Sequence, residues 1–176
     1  HTNTDAKICC QIGHSGRKGS TQLGWEAMDA PLQDNNWDLV SASAIPWSKN
    51  NATPREITVD EMNKVKSQFV NSVVMAKRAG FDMIELHAAH GYLISSFISP
   101  ISNKREDKYG GTFENRMRYP LEVFNAMRAV WPADRPISVR ISANDWLGDT
   151  GVTPEQAVKI SQAFADAGAD LIDVSA

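Results

Sequence analysis

One pattern recurs in this chain and restricts its fold more than any other. The run Ala79-Gly80-Phe81-Asp82-Met83-Ile84-Glu85-Leu86 is echoed by Ala167-Gly168-Ala169-Asp170-Leu171-Ile172-Asp173-Val174. Each copy reads as the end of a helix, a glycine that closes it, an aspartate, and an apolar run of strand length. Four such runs read as strands, over residues 8–13, 83–87, 137–142 and 171–175. Three helical stretches separate them, over 59–79, 113–130 and 153–167. The first has Thr58 as N-cap with Glu61 three residues on, the pattern of a capping box. Its apolar residues Met62, Val65, Phe69, Val73 and Ala76 follow the helical period. The third has Thr153 as N-cap, Pro154 in its first turn and Gly168 at its end. Strands alternating with helices imply βα units and a parallel α/β sheet, either a (β/α)8 barrel or a doubly wound sheet. No GxGxxG follows a strand, which counts against a dinucleotide-binding doubly wound fold.

Two long irregular stretches, 15–58 and 91–112, each follow a strand and so lie on the carboxyl-end face, where such folds carry function. Strand parity points to the same face, because successive side chains alternate. One set is apolar: Ile8, Cys10, Ile12, Ile84, Leu86, Val139, Ile141, Ile172 and Val174. It should face the helices. The other, mostly polar, holds Cys9, Gln11, Glu85, His87, Ser138, Arg140, Asp173 and Ser175. A parallel sheet buried on both faces is normally apolar on both. Polar groups converging from four strands therefore predict a bound polar ligand or cofactor.

Composition narrows the partners. Across 176 residues the net charge is −3 and no basic stripe is present, so nucleic acid is not expected. No apolar run has the length of a membrane span, and a small-molecule substrate is the expected partner. Cys9 and Cys10 are adjacent, which rules out a CxxC pair; they read as small core residues on a buried strand and fit a reducing cytoplasm. The chain starts at His1 and stops at Asp173-Val174-Ser175-Ala176, at the end of a strand-like run. That predicts a single partial domain over 1–176, taken from a longer protein.

The groups that could carry chemistry cluster in His87-Ala88-Ala89-His90-Gly91-Tyr92, where the second strand ends. Two imidazoles can grip a carbonyl oxygen and stabilise developing negative charge, and Tyr92 can deliver a proton. The alternatives are an aromatic lid for Tyr92, loop-carbonyl contacts for the histidines, or a metal site completed by Glu85 or Asp173. Parity argues against that metal, because Glu85 lies one pleat below His87. Arg140 suits an anionic or electron-accepting heterocycle, and Gln11 suits an imide edge; the bland alternative for both is an internal network with Glu85 or Asp173. The 102–111 stretch, with Asn115, Arg116 and Arg118 after it, reads as a structural loop.

Together these residues resemble the old yellow enzyme family of FMN-dependent oxidoreductases. The similarity runs through Gln11-Ile12-Gly13-His14-Ser15-Gly16-Arg17, Glu85 to Leu93, Phe97-Ile98-Ser99-Pro100, Ser102-Asn103-Lys104-Arg105, Tyr109-Gly110-Gly111, Glu114-Asn115-Arg116, Val139-Arg140-Ile141-Ser142 and Asp173-Val174-Ser175. The resemblance implies a (β/α)8 TIM barrel of which the chain covers the third to sixth strands. It implies FMN as cofactor, with Gln11 and Arg140 on the flavin's pyrimidine edge, and NADH or NADPH as reductant. It implies His87 and His90 on the substrate's activating oxygen, Tyr92 as proton donor, and reduction of an activated C=C bond. It leaves room for a homo-oligomer. Ser43-Ala44-Ile45-Pro46 and Trp146-Leu147-Gly148-Asp149 look like the xenobiotic-reductase branch, and closer to the reductase half of aminobenzoyl-CoA or salicyloyl-CoA monooxygenases. Strands beside the flavin's reactive edge and loops holding its phosphate lie outside this span, so the 176 residues alone are expected to hold FMN weakly or not at all. The remaining readings are a metal-dependent hydrolase or lyase on a similar barrel and a non-catalytic truncated fragment.

Overall fold

A computed structural model describes residues 3–175; the outermost ends of the domain read over 1–176 lie outside the described residues. In chain order the elements are β1 (Cys9–Ile12), α1 (Gly24–Ala27), β2 (Val40–Ser41), β3 (Arg55–Glu56), α2 (Val59–Arg78), β4 (Met83–Ala88), α3 (Leu93–Ile98), α4 (Phe113–Val130), β5 (Ile137–Ser142), α5 (Pro154–Asp166) and β6 (Leu171–Ser175). The main sheet runs β1-β4-β5-β6, every neighbouring pair parallel. Strand order thus follows chain order without the reversal that defines a doubly wound sheet. That is one arc of a singly wound barrel. β2 and β3 form a separate two-residue parallel ladder inside the first long loop.

The repeat has a mechanical meaning. At each helix end a Schellman motif forms. Phe81 N–H reaches the Ala76 carbonyl at 3.2 Å and Ala169 N–H the Phe164 carbonyl at 3.0 Å. Gly80 and Gly168, with φ of 83° and 99°, make those turns. The aspartate that follows then ties down the neighbouring strand. Asp82 Oδ2 accepts from Ile8 N–H at 3.0 Å, and Asp170 Oδ2 accepts from Ile137 N–H at 2.9 Å. The same eight-residue device therefore sets strand register twice.

The apolar parity set packs as expected over most of the sheet. Ile84, Leu86, Val139 and Ile141 are buried under α2, α4 and α5, whose inward residues include Met62, Phe69, Val73, Val123, Phe124, Ile160 and Phe164. Each large side chain fully buried in this way stabilises the fold by about 1.5–3 kcal/mol. The capping box forms: Thr58 Oγ1 accepts from Glu61 N–H, and the Glu61 carboxylate accepts from Thr58 N–H. Two expectations need correction, both at sheet edges. Cys9 is exposed and Cys10 only half-buried, because β1 has no strand on its outer side among the described residues. Val174 on β6 is exposed, because β6 is the opposite edge and no described helix covers it.

Parts of both long stretches have structure of their own. In 91–112, α3 is buried along its whole length. Asn103 Nδ2 donates to the Phe97 and Tyr109 carbonyls at 2.7 and 2.8 Å. Arg105 is buried and donates to the carbonyls of Ala42 and Ile57. Arg116 ties the loop to α4 through the Ile98 and Gly111 carbonyls. The structural reading of this segment holds, as a buried brace rather than a solvated loop.

Candidate active site

Register stacks the polar parity set in two layers. The lower layer joins Gln11, Glu85 and Ser138, which are direct neighbours across β1, β4 and β5. The Glu85 carboxylate is buried and both its oxygens are engaged: Gln11 Nε2 donates to one and Ser138 Oγ to the other, each at 2.7 Å. The upper layer joins His87, Arg140 and Asp173 across β4, β5 and β6. Arg140 Nε lies 3.4 Å from Asp173 Oδ2, but the approach is too oblique for a hydrogen bond and Nε is left buried without one. Nη2 reaches Ser175 Oγ at 3.5 Å. The internal partners named for Gln11 and Arg140 are thus present, Glu85 for the first and Asp173 for the second.

His87, His90 and Tyr92 come together at the carboxyl end of β4. The His87 ring meets the edges of His90 and Tyr92, with centroids 5.0 and 4.8 Å apart. The tautomers follow from one unambiguous donor. Ala89 N–H points at His87 Nδ1 at 3.2 Å, so the His87 proton sits on Nε2. That proton faces His90 Nδ1 at 3.2 Å, which leaves the His90 proton on Nε2, facing Ser175 Oγ at 2.8 Å. Burial, then His90 and Arg140, push the His87 pKa down to about 4; burial, then Arg140 and Lys18, lower that of His90. Both rings are neutral near pH 7, and the two donors expected to grip a substrate oxygen are spent on each other and on Ser175. A ligand oxygen must displace the His87–His90 bond to be gripped. The Tyr92 hydroxyl has no hydrogen-bond partner among the described residues.

His90 adopts a left-handed backbone, φ 59°, held from both sides. Its N–H donates to Ser142 Oγ at 2.9 Å and its carbonyl accepts from Lys18 Nζ at 3.2 Å. Gly91 follows with φ 73°, and a Cβ there would lie 2.1 Å from the Trp47 ring. Trp47 therefore packs directly on the turn that aims His90. Sequence reasoning passed over Lys18, Trp47, Ser142 and Ser175 as parts of this site. Ser142 and Ser175 carried a usable signal, the parity they share with Arg140 and Asp173. As for the metal alternative, both Glu85 oxygens are taken, and no group of three His, Cys, Asp or Glu among the described residues is placed to hold an ion.

Comparison with known proteins converges. The NADH:flavin oxidoreductase / NADH oxidase family model matches residues 1–176. An NADPH dehydrogenase of Clostridium acetobutylicum is 41% identical over 170 residues, covering 97% of this chain and 46% of that protein. A 2-naphthoyl-CoA reductase solved with 2-naphthoyl-CoA superposes with a TM-score of 0.81 at 28% identity, over 95% of this chain and 26% of that one. An old yellow enzyme homologue from Zymomonas mobilis gives 0.76 at 26%, over 96% and 47%. The chain spans about half the length of the curated relatives it matches.

Proposed function

The chain belongs to the NADH:flavin oxidoreductase / NADH oxidase family, of the old yellow enzyme type, and we propose that it forms the third to sixth strands of an FMN-dependent barrel that uses NADH or NADPH to reduce an activated C=C bond. The activating group is a carbonyl or a CoA thioester; the likeness to 2-naphthoyl-CoA reductase supports the latter. One observation carries this reading: Gln11, Arg140, His87, His90 and Tyr92 converge from three neighbouring strands on one end of one face.

The residues present fit a flavin. Arg140 is a half-buried cation whose Nε has no hydrogen bond, an arrangement that favours an acceptor atom or an anionic ring beside it. Glu85 takes one Gln11 N–H and so orients the amide, whose oxygen and second N–H remain to meet a donor–acceptor edge. FMN, when bound, supplies a two-electron carrier between the nicotinamide and the substrate. Gln11 and Arg140 hold it. His87 would turn its Nε2–H from His90 to the substrate oxygen, and His90, once its proton moves from Nε2 to Nδ1, would donate beside it and stabilise the charge that builds there. Tyr92 holds the proton that the substrate carbon needs, at Oη, within the same cluster.

Replacing Tyr92 by Phe in the flavin-loaded protein tests the assignment. Reoxidation by an enone should slow by roughly a hundredfold or more, with reduction by NAD(P)H unchanged. Slowing of the NAD(P)H step alone would remove Tyr92 from the proton-donor role.

A further inference from the structure

Beside the histidine cluster, and sharing His90 with it, lies a cavity whose two cations have no part in the chemistry proposed above. The cavity, of about 510 Å³, opens between the loops after β1, β4 and β5, with Arg17, Lys18, Trp47, His90, Trp146 and Leu147 in its wall. That size is typical of a small-ligand site. Two cations line it, and neither forms an ion pair among the described residues. Arg17 is 6% exposed. Its Nη1 reaches the Ile45 and Pro46 carbonyls only at 3.4 Å, and its Nε has no hydrogen bond. Its guanidinium lies 5.2 Å from the Trp47 ring centroid. Lys18 Nζ donates to the His90 carbonyl and sits 4.2 Å from the Trp47 centroid and 5.2 Å from that of Tyr92. Asp145, too far for an ion pair, is the counter-charge that acts on Arg17, and Asp29 acts likewise on Lys18. A buried cation compensated only at that range is costly unless an anion joins it.

We propose that this cavity binds the carboxylate of an aromatic ligand, with Arg17 as its principal counter-charge and the Trp47 ring as its flat wall. The planar fork of Arg suits a carboxylate. Asp145, the carboxylate in the same wall, argues for a single negative charge over a dianionic phosphate. Its Oδ2 is held by Ser99 Oγ and Val152 N–H at 2.7 and 2.8 Å, so it stays in place and repels the higher charge. His90 belongs both to this wall and to the proposed oxygen grip, so one ligand can reach both. The site thus adds a specificity element to the proposed function and rests on that reading for the ligand's other end.

The test is a matched pair of ligands read by binding, so that loss of turnover and loss of this site remain distinguishable. In the protein that contains this chain, tryptophan fluorescence is titrated with 4-hydroxybenzoate and with 4-hydroxybenzamide, which share shape and differ in charge. The carboxylate should bind roughly tenfold tighter or more. Arg17→Gln should erase that preference and leave the amide's affinity unchanged. Arg17→Lys, which keeps the charge without the fork, should keep part of it and serves alone where the glutamine variant does not fold. Equal affinities in the native chain, a preference that survives Arg17→Gln or is undiminished in Arg17→Lys, or parallel loss of both ligands would overturn the proposal.

Discussion

Acidification should unfold this protein through its histidine pair, and the structure sets the size of the effect. His87 is 7% exposed, and Ala89 N–H already points at its only unprotonated nitrogen. A second proton would bring two donors face to face in a buried site, with His90 and Arg140 adding repulsion that Glu85 and a backbone hydrogen bond only partly offset. The native state therefore takes up that proton at about pH 4, whereas an unfolded histidine takes it up near pH 6.5. Above 6.5 neither state is protonated and there is no penalty. As the pH falls from 6.5 to 4 only the unfolded state binds the proton, so stability is lost across that window and levels off below it. The full difference corresponds to about 3 kcal/mol at most, a large share of the 5–15 kcal/mol typical of a domain. Urea denaturation at pH 8 and at pH 4.5 reads it, with His87→Gln as the non-titrating control. The native chain should lose up to about 3 kcal/mol more than the variant, a midpoint shift of about 1 M or more. Parallel losses in the two proteins would refute the neutral, self-bonded pair.

Two further substitutions probe the frame around the site. Gly91→Ala forces a left-handed alanine and drives its Cβ into Trp47; it should cost at least about 1–2 kcal/mol and alter tryptophan fluorescence, and an unchanged urea midpoint would contradict the packing. Arg105→Met strands the carbonyls of Ala42 and Ile57; about 2–4 kcal/mol should be lost in urea melts, against under 1 kcal/mol if the segment were merely solvated.

Much of the scaffold is legible from local rules. The helical period and the threonine N-caps specify α2, α4 and α5, and the glycines at their ends close α2 and α5, because each of these acts within a few residues of itself. Thr58 and Glu61 are one example, Gly168 after α5 another. What local rules do not reveal is of two kinds. α3 has no polar face, since all six of its residues are buried, and so shows no amphipathic period. The exposure of Cys9 and Val174 depends on which strands and helices lie beside them, which no residue pattern near them records. The same division runs through the site. Parity places Gln11, His87 and Arg140 on one face, but the tautomer chain from Ala89 to Ser175 and the burial of Arg17 arise from contacts between residues up to 85 positions apart.

The central claim is that these strands carry a flavin that passes electrons from a nicotinamide to an activated double bond. Anaerobic absorbance spectroscopy of the FMN-loaded protein that contains this chain tests it most directly. Addition of NADH or NADPH should bleach the visible absorbance of the oxidised flavin, and an enone should restore it stoichiometrically. A protein that takes up no flavin, or a flavin that stays oxidised with both nucleotides, would contradict the account.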